Sequence, residues 1–487
     1  MTAIDVASYV ANWQAAMPGI IVVLTAFVVM GVDLTVRDGS RALLAGLGIL
    51  GLGVAMAASV GAWIGNADPS GFQDMLRADR YGLFFTIVIC GSAALTLLMS
   101  VEYVGEWNLP AGDFYTLILL STAGMIFLAL ANDLIVLFVA LETMSMGVYV
   151  LAGLLRGDLR SNEASMKYFL LGAFASGFLL YGMAFFYGAT GSTRLDVIAE
   201  AVARRPTEPF VFLGMAFLLV GFGFKVALVP FQAWTPDVYE GAPTVVTAFM
   251  AVAVKASAFA AFGRTFSAGL AELAGQWTGL LGVLAVLTMT VGNVVAISQR
   301  SVKRMLAYSS IAHAGYALLG LVAHSAGGGA ALLYYLTVYA FMNLGAFGVL
   351  VALGRRGESS DRLEDLAGVG LRHPFLAFCL TVFLLSLAGV PPLGGFIAKF
   401  YLFGSVVEAG HVGLALIAVV NSVISIYYYL GPVVQMYLGD AGPERAALPA
   451  RPWVFTCIAV ALVGTVVMGI FPAGTMQAAL ASFRSLQ

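Results

Sequence analysis

Charge is what this sequence has least of. Asp, Glu, Lys and Arg together make up 10% of its 487 residues, against about 25% in an ordinary soluble domain. A chain so poor in charge could not cover a water-facing surface, which excludes a soluble globular protein. Cysteine is equally scarce. Cys90, Cys379 and Cys457 all lie in apolar runs, without CxxC spacing and without clustered histidines. That pattern excludes a disulfide framework, a zinc site and an iron–sulfur centre. No dense basic patch accompanies the net charge of -2, so nucleic acid is excluded as a partner. The opening stretch MTAIDVASYVANWQ lacks the basic start of a cleavable signal, and insertion is expected to use the first spanning helix itself.

What the chain has in abundance is apolar length. Hydrophobic residues make up 61% of it, gathered in runs of about 20, the length that crosses the hydrocarbon core as a helix. A β-barrel would show short segments of alternating polarity instead, and none are evident. The expected fold is an all-α polytopic membrane protein of about fourteen spans. They are read at 17–36, 42–64, 81–101, 113–131, 132–155, 165–189, 210–230, 243–263, 276–298, 304–322, 329–353, 374–407 (interrupted), 411–437 and 453–473. Only the polar pair Asn132-Asp133 separates the fourth from the fifth.

Loops after odd-numbered spans hold thirteen basic residues, among them Arg37, Lys303, Arg355, Arg356, Arg445 and Arg451. The other side holds seven, among them Arg80, Arg205 and Arg264. By the positive-inside rule the richer side is cytoplasmic, so both termini are expected outside. Four of the 24 basic residues remain. Lys167 stands at a helix entrance, whereas Lys225, Lys255 and Lys399 fall inside spans. Among the acids Glu142 is clearly mid-span, with Glu102 and Asp133 at span edges.

Each charge at mid-membrane costs at least ~2.5–3.5 kcal/mol on the insertion scale. Four of them cost on the order of 10 kcal/mol, comparable to the net stability of a domain. Such groups are paired, hydrated or functional. A static ion pair fixing helix register is one reading; a proton relay is the other. A desolvated lysine can surrender its proton, while arginine stays protonated. Finding only lysines among the deeply buried cations favours the relay.

Helix breaks sit beside two of these lysines. Lys225-Val-Ala-Leu-Val-Pro230 leads into Phe231-Gln-Ala-Trp234-Thr-Pro236, and Val390-Pro391-Pro392-Leu-Gly-Gly395 precedes Lys399. Broken helices at membrane depth are tolerated where backbone lines a polar cavity, and recurring ones point to a transport path. Their spacing suggests two five-helix repeats, 113–266 and 276–437, after three helices in 1–112 and before a last spanning helix in 438–487. An odd helix number inverts the second repeat. Glu142 then maps near His313, a mid-span histidine suited either to proton shuttling or to a hydrogen-bonded place in the core. Gly46-Leu-Gly48-Ile-Leu-Gly51 matches GxGxxG but lies within an apolar span with no preceding strand, so it binds no dinucleotide. The run Tyr427-Tyr428-Tyr429 is read as an interfacial aromatic belt.

Four long motifs resemble one family. Asn132-Asp-Leu-Ile-Val-Leu-Phe-Val-Ala-Leu-Glu142-Thr-Met-Ser145 resembles the fifth helix of the antiporter-like subunits of proton-pumping NADH:quinone oxidoreductase, respiratory complex I. The stretch from Leu159 to Phe178, Trp234-Thr-Pro-Asp237-Val-Tyr-Glu240-Gly-Ala-Pro-Thr244, and Lys303-Arg-Met-Leu-Ala-Tyr-Ser-Ser-Ile-Ala-His313-Ala-Gly are similar to its subunit N branch. The resemblance, over roughly 110–430, implies a 14-helix core with inverted five-helix repeats. It implies Glu142 as the fifth-helix glutamate, Lys225 as its partner, Lys255 as the central lysine and Lys399 as the terminal one.

It further implies proton translocation coupled to electron transfer from NADH to quinone. NADH, FMN, iron–sulfur clusters and quinone would be held by other subunits and none by this chain. Sibling antiporter-like subunits, small membrane subunits and the lipid bilayer are the implied partners, in a bacterial inner membrane with periplasmic termini. Val254 precedes Lys255, and Val245 follows Thr244, where the family usually has proline; the first span lacks the usual glutamate. The chain ends soon after its last span, without the long lateral helix of the distal sibling. Two rivals are a subunit of a multisubunit cation/proton antiporter without redox partners, and a structural spacer whose ion pairs only hold helices together.

Overall fold

A computed structural model describes residues 13–36, 41–65, 70–204, 206, 208–354, 361–440 and 449–486. Arg37, Arg205, Arg355, Arg356, Arg445 and the first residues of the chain lie outside the described residues. Among the described residues, thirteen helices are long and apolar enough to cross a membrane, and the shorter apolar helix Pro374–Ala388 stands where the interrupted span was expected. They are α1 (Met17–Thr35), α2 (Arg41–Ile64), α3 (Arg80–Glu106), α4 (Ala111–Leu130), α5 (Leu134–Ala152) and α6 (Leu159–Thr190). A short surface helix α7 (Leu195–Arg204) precedes α8 (Pro209–Val226) and the short α9 (Trp234–Gly241). Then come α10 (Thr244–Gly269), α11 (Ala271–Ile297), α12 (Val302–Val322) and α13 (Ala326–Leu353). The half-helices α14 (Pro374–Ala388) and α15 (Gly394–Glu408) lead to α16 (Val412–Leu438), α17 (Pro452–Ile470) and α18 (Ala473–Arg484).

Short polar side chains set where these helices start. The carboxylate of Asp133 accepts from the amides of Ile135 and Val136 at 2.7 and 3.3 Å, which is how two polar residues suffice to separate α4 from α5. Asp79, Asp158, Ser301 and Ser325 cap α3, α6, α12 and α13 in the same way. These side chains satisfy donors that a helix start leaves free. Close approach of helices depends on small residues, as is usual between membrane helices. A Cβ on Gly124 of α4 would stand 2.6 Å from the Met144 amide of α5. One on Gly292 of α11 would stand 2.7 Å from that of Ala312 on α12.

The centre of the molecule is built from α10, α12 and α13, almost wholly enclosed by the others. The peripheral helices each turn an apolar face outward, with Leu24, Leu50, Phe174, Val283, Val423 and Val463 exposed along them. Both expected breaks are present. The first follows α8, where Ala227 takes a positive φ of 62° ahead of Pro230; the second follows α14, where Gly389 has φ 90° ahead of Pro391 and Pro392. Val229–Pro230 and Pro391–Pro392 are cis peptide bonds. Where the proline before Lys255 is missing, the helix is disturbed all the same: Met250–Val254 forms a π turn ending at Lys255. Such turns are often found at functional sites.

One expectation about burial needs correction. Arginine is among the deeply buried cations after all: Arg264 and Arg451, read from sequence as loop residues, are 2% and 3% exposed. Each is neutralised by an acid from a distant helix end. Arg264 grips Asp79 with two hydrogen bonds of 2.6 and 2.7 Å. Arg451 holds Glu106 at 2.6 and 3.0 Å and the carbonyls of Val351, Ala352 and Gly354. The chain past the last span also folds. Helix α18 packs under α3 and α13, with Trp63 donating to Ser482 and the Tyr81 amide to Ser485.

Candidate functional site: a file of buried polar groups

The mid-span lysines are all buried, and each meets neutral groups. Lys225, on the last turn of α8, donates to the Ser145 hydroxyl at 2.7 Å and the Tyr149 hydroxyl at 3.2 Å on α5. The rings of Tyr149, Tyr168 and Phe224 surround its ammonium at 5.3–5.9 Å, a favourable setting for a cation. Glu142, mid-way along α5, is half-buried and accepts from the Ser176 hydroxyl of α6. It makes no ion pair with Lys225. Ser145, one turn further along α5, is what contacts the lysine.

Lys255 follows the π turn of α10 and donates to both the carbonyl and the hydroxyl of Ser310 at 2.5 Å. Lys399, on α15, reaches back across the second break to the Ala388 carbonyl and to the Ser422 hydroxyl, each at 2.9 Å. Its ammonium also lies 4.8 Å from the centre of the Tyr316 ring. Helix α12 joins these two sites. Ser310, His313 and Tyr316 recur at the three-residue spacing that shares a helix face, touching Lys255, a tyrosine pair and Lys399 in turn. His313 Nδ1 is 2.5 Å from the Tyr335 hydroxyl, and Nε2 is 3.0 Å from that of Tyr429.

Tyr428 and Tyr429 are therefore not an interfacial belt. Only Tyr427 is exposed, at 71%; α16 turns its two neighbours into the core, where Tyr428 donates to Asn293 at 3.0 Å. Asn293 in turn donates to the Tyr316 hydroxyl at 3.1 Å. Sequence reasoning missed Ser145, Ser310, Tyr335, Asn293 and Tyr429. The polar positions Asn421, Ser425 and Tyr429, spaced by four on α16, carried the signal for the last.

Two cavities lie near the file. One, of about 350 Å³, is lined by Tyr103, Asp158, Arg160, Glu240, Lys303 and Asp361. Lys303 forms its wall and donates to the carbonyls of Glu240 and Ala242. A larger groove, about 710 Å³, runs between α15 and α16 from Lys399 to Glu408. Beside the first cavity, Asp237 of α9 is held at 2.7 Å by Lys167 and at 2.8 Å by Arg304, which also takes Glu240 at 2.8 Å. Burial raises the Asp237 carboxyl, but those two hydrogen-bonded cations outweigh it and hold the group below the usual carboxylate range. Among the described residues, no three His, Cys, Asp or Glu side chains converge as a metal site would require.

Broken helices, lysines buried on neutral partners and a file of buried polar groups define a polytopic membrane protein of the antiporter-like class. Residues 131–425 match the family described as NADH:quinone oxidoreductase/Mrp antiporter, TM. The NADH-quinone oxidoreductase subunit N of Trichlorobacter lovleyi is 44% identical over 468 residues, which cover 96% of each chain. A chain of respiratory complex I from Thermus thermophilus, solved with bound aureothin, is 36% identical with a TM-score of 0.80, over 95% of this chain and 99% of that one. A chain of the Mrp complex from Dietzia sp. DQ12-45-1b shares the fold at 22% identity, with a TM-score of 0.82 over 98% and 97%. The protein belongs to the NADH-quinone oxidoreductase subunit N family.

Proposed function

We propose that this chain translocates protons as a membrane subunit of NADH:quinone oxidoreductase, driven by electron transfer from NADH to quinone in other subunits. The observation that carries the reading is that Lys225, Lys255 and Lys399 are buried on serine, tyrosine and carbonyl groups, with no carboxylate partner among the described residues. A permanent cation would be costly there, whereas a group that takes up and releases a proton carries its charge only in passing. The buried arginines differ in that both have a carboxylate. In this scheme protons arrive from the cytoplasmic side near Lys255. Lys225 holds one under the influence of Glu142, and His313 passes protons along α12. Release is past Lys399 toward the periplasm.

The same reading gives the chain two inverted five-helix units, 113–266 and 276–437, in a bacterial inner membrane with both termini periplasmic. Sibling antiporter-like subunits and small membrane subunits lie beside it. FMN, iron–sulfur clusters and the quinone site belong to other subunits; the reaction is that of the whole translocase. Lys225→Ala tests the assignment. The complex is expected to assemble while quinone-reductase turnover and proton pumping, normalised to assembled enzyme, fall at least tenfold. Normal turnover with normal pumping in assembled membranes would remove Lys225 from the path.

A further inference from the structure

The imidazole of His313 is held between two phenols, and the heavy-atom frame admits two opposite arrangements of the same hydrogens. Nδ1 faces the Tyr335 hydroxyl at 2.5 Å and Nε2 the Tyr429 hydroxyl at 3.0 Å. The Tyr429 oxygen also lies 2.5 Å from the Ser309 hydroxyl, where either atom can donate. All four side chains are buried, with exposures of 0–2%. A neutral imidazole has one donor and one acceptor nitrogen, and each hydroxyl has one hydrogen. In one arrangement Tyr335 donates to Nδ1, Nε2–H donates to Tyr429 and Tyr429 donates to Ser309. In the opposite one Ser309 donates to Tyr429, Tyr429 donates to Nε2 and Nδ1–H donates to Tyr335. A third, with Nε2–H and Ser309 both donating to the Tyr429 oxygen, also keeps every bond but turns the Tyr429 hydrogen out of the chain, which leaves the first two as the conducting states.

We propose that Tyr335, Tyr429 and Ser309 are relay residues, forming with His313 a four-membered proton wire that conducts by switching between these two states. The inference rests on the proton-translocation reading above and adds to it the groups that carry the proton past His313. The transfer balances. A proton reaching the Ser309 oxygen from the Lys255 side displaces that group's own hydrogen onto the Tyr429 oxygen, and Tyr429 gives its own hydrogen to Nε2. Nδ1 passes its hydrogen to the Tyr335 oxygen, and the Tyr335 hydrogen departs. One proton has entered, one has left, and each of the four groups holds as many hydrogens as before. The wire then has the opposite polarity, and the hydroxyls must rotate and the imidazole change tautomer before another proton moves the same way. That reset makes the wire a one-proton-per-cycle device.

Its position fits the task. Ser309 is the neighbour of Ser310, which holds Lys255, while Tyr316, one turn past His313, lies against Lys399. The wire, with Ser309 and His313 on α12, Tyr335 on α13 and Tyr429 on α16, thus lies in the second half of the path, its α12 members between the residues that touch the two lysines. Linked hydrogen bonds polarise one another in a low-dielectric core, which favours concerted passage over a fixed charge on the ring.

The test uses Tyr335→Phe and Tyr429→Phe in the assembled complex. Each keeps the ring and removes only the hydroxyl. Pumping per assembled enzyme is expected to fall at least tenfold in both, with assembly unchanged. A second measurement guards against a packing effect: fluorotyrosine at position 429 barely changes size but makes the phenol more acidic. The wire predicts a pumping rate and pH profile that shift with that acidity; a purely structural tyrosine predicts neither. Full pumping in both Phe forms, or a fluorotyrosine enzyme identical to wild type, overturns the wire. Lys225→Ala in the same membranes separates this failure from failure of the relay itself. If that variant is inactive while both Phe forms pump, protons pass by another route.

Discussion

The Lys225 ammonium meets the Ser145 hydroxyl at 2.7 Å, and the hydrogen of that hydroxyl is already given to the Leu141 carbonyl at 2.5 Å. The serine oxygen can therefore only accept, and Lys225 is the donor. Glu142 accepts from Ser176 and has no direct bond to Lys225.

Glu142→Gln removes the charge and is expected to lower proton pumping strongly. Glu142→Asp keeps the charge at shorter reach and should be milder. Ser145→Ala takes away a hydrogen bond to a charged donor, worth about 1.5–3 kcal/mol, and should also depress turnover. Pumping by the assembled enzyme is the measurement. If Gln and Asp behave alike, charge is not what Glu142 supplies, and its bond with Ser176 becomes the better account.

The Arg264–Asp79 pair is a stability element. Removing one partner of a buried ion pair typically costs about 3–5 kcal/mol, because the other charge is left stranded. Arg264→Leu alone should sharply reduce the amount of assembled complex. Adding Asp79→Ser, which keeps a cap for α3, should restore much of it. Quantifying the complex in membranes decides this, and a double variant worse than the single one contradicts it.

Acid should loosen the bracket at Asp237. Its carboxyl is held below the usual range by Lys167 and Arg304 despite burial. A group with a lower pKa folded than unfolded contributes stability above the unfolded value, and loses it as pH falls through the folded value. Asp237→Asn should therefore be less stable than wild type at neutral pH and converge with it in acid. Thermal inactivation across that range is the check. A gap that stays constant into acid would mean the carboxylate charge is not what stabilises the bracket.

The crossings were legible because hydrocarbon thickness fixes their length and leaves little room for error. The boundary at Asn132-Asp133 rested on two polar residues alone, and the structure shows why it holds: Asp133 caps the helix that follows. Arg264 and Arg451 were not legible as buried groups. Their carboxylates lie 185 and 345 residues away in sequence, and nothing local announces a pairing over such distances. The tyrosine run misled for another reason. Three adjacent aromatics look like a belt, but successive residues on a helix face different ways, so only Tyr427 meets the surface. Lys225, Lys255, Lys399 and Glu142 stood out because charge is so scarce; the serines and tyrosines that receive them are too common in membrane helices to stand out.

Lys399 provides the most direct test of proton relay against permanent charge. Arginine keeps the positive charge but does not surrender its proton, while alanine keeps neither. NADH-driven proton pumping per assembled enzyme should be measured for Lys399→Arg beside Lys399→Ala. The relay predicts that both assemble and both fall below roughly a tenth of wild type, since ~1.4 kcal/mol of lost driving interaction already costs tenfold. Assembled Lys399→Arg enzyme pumping at the full wild-type rate would contradict it, and Lys399 would then be a fixed cation holding the second break together.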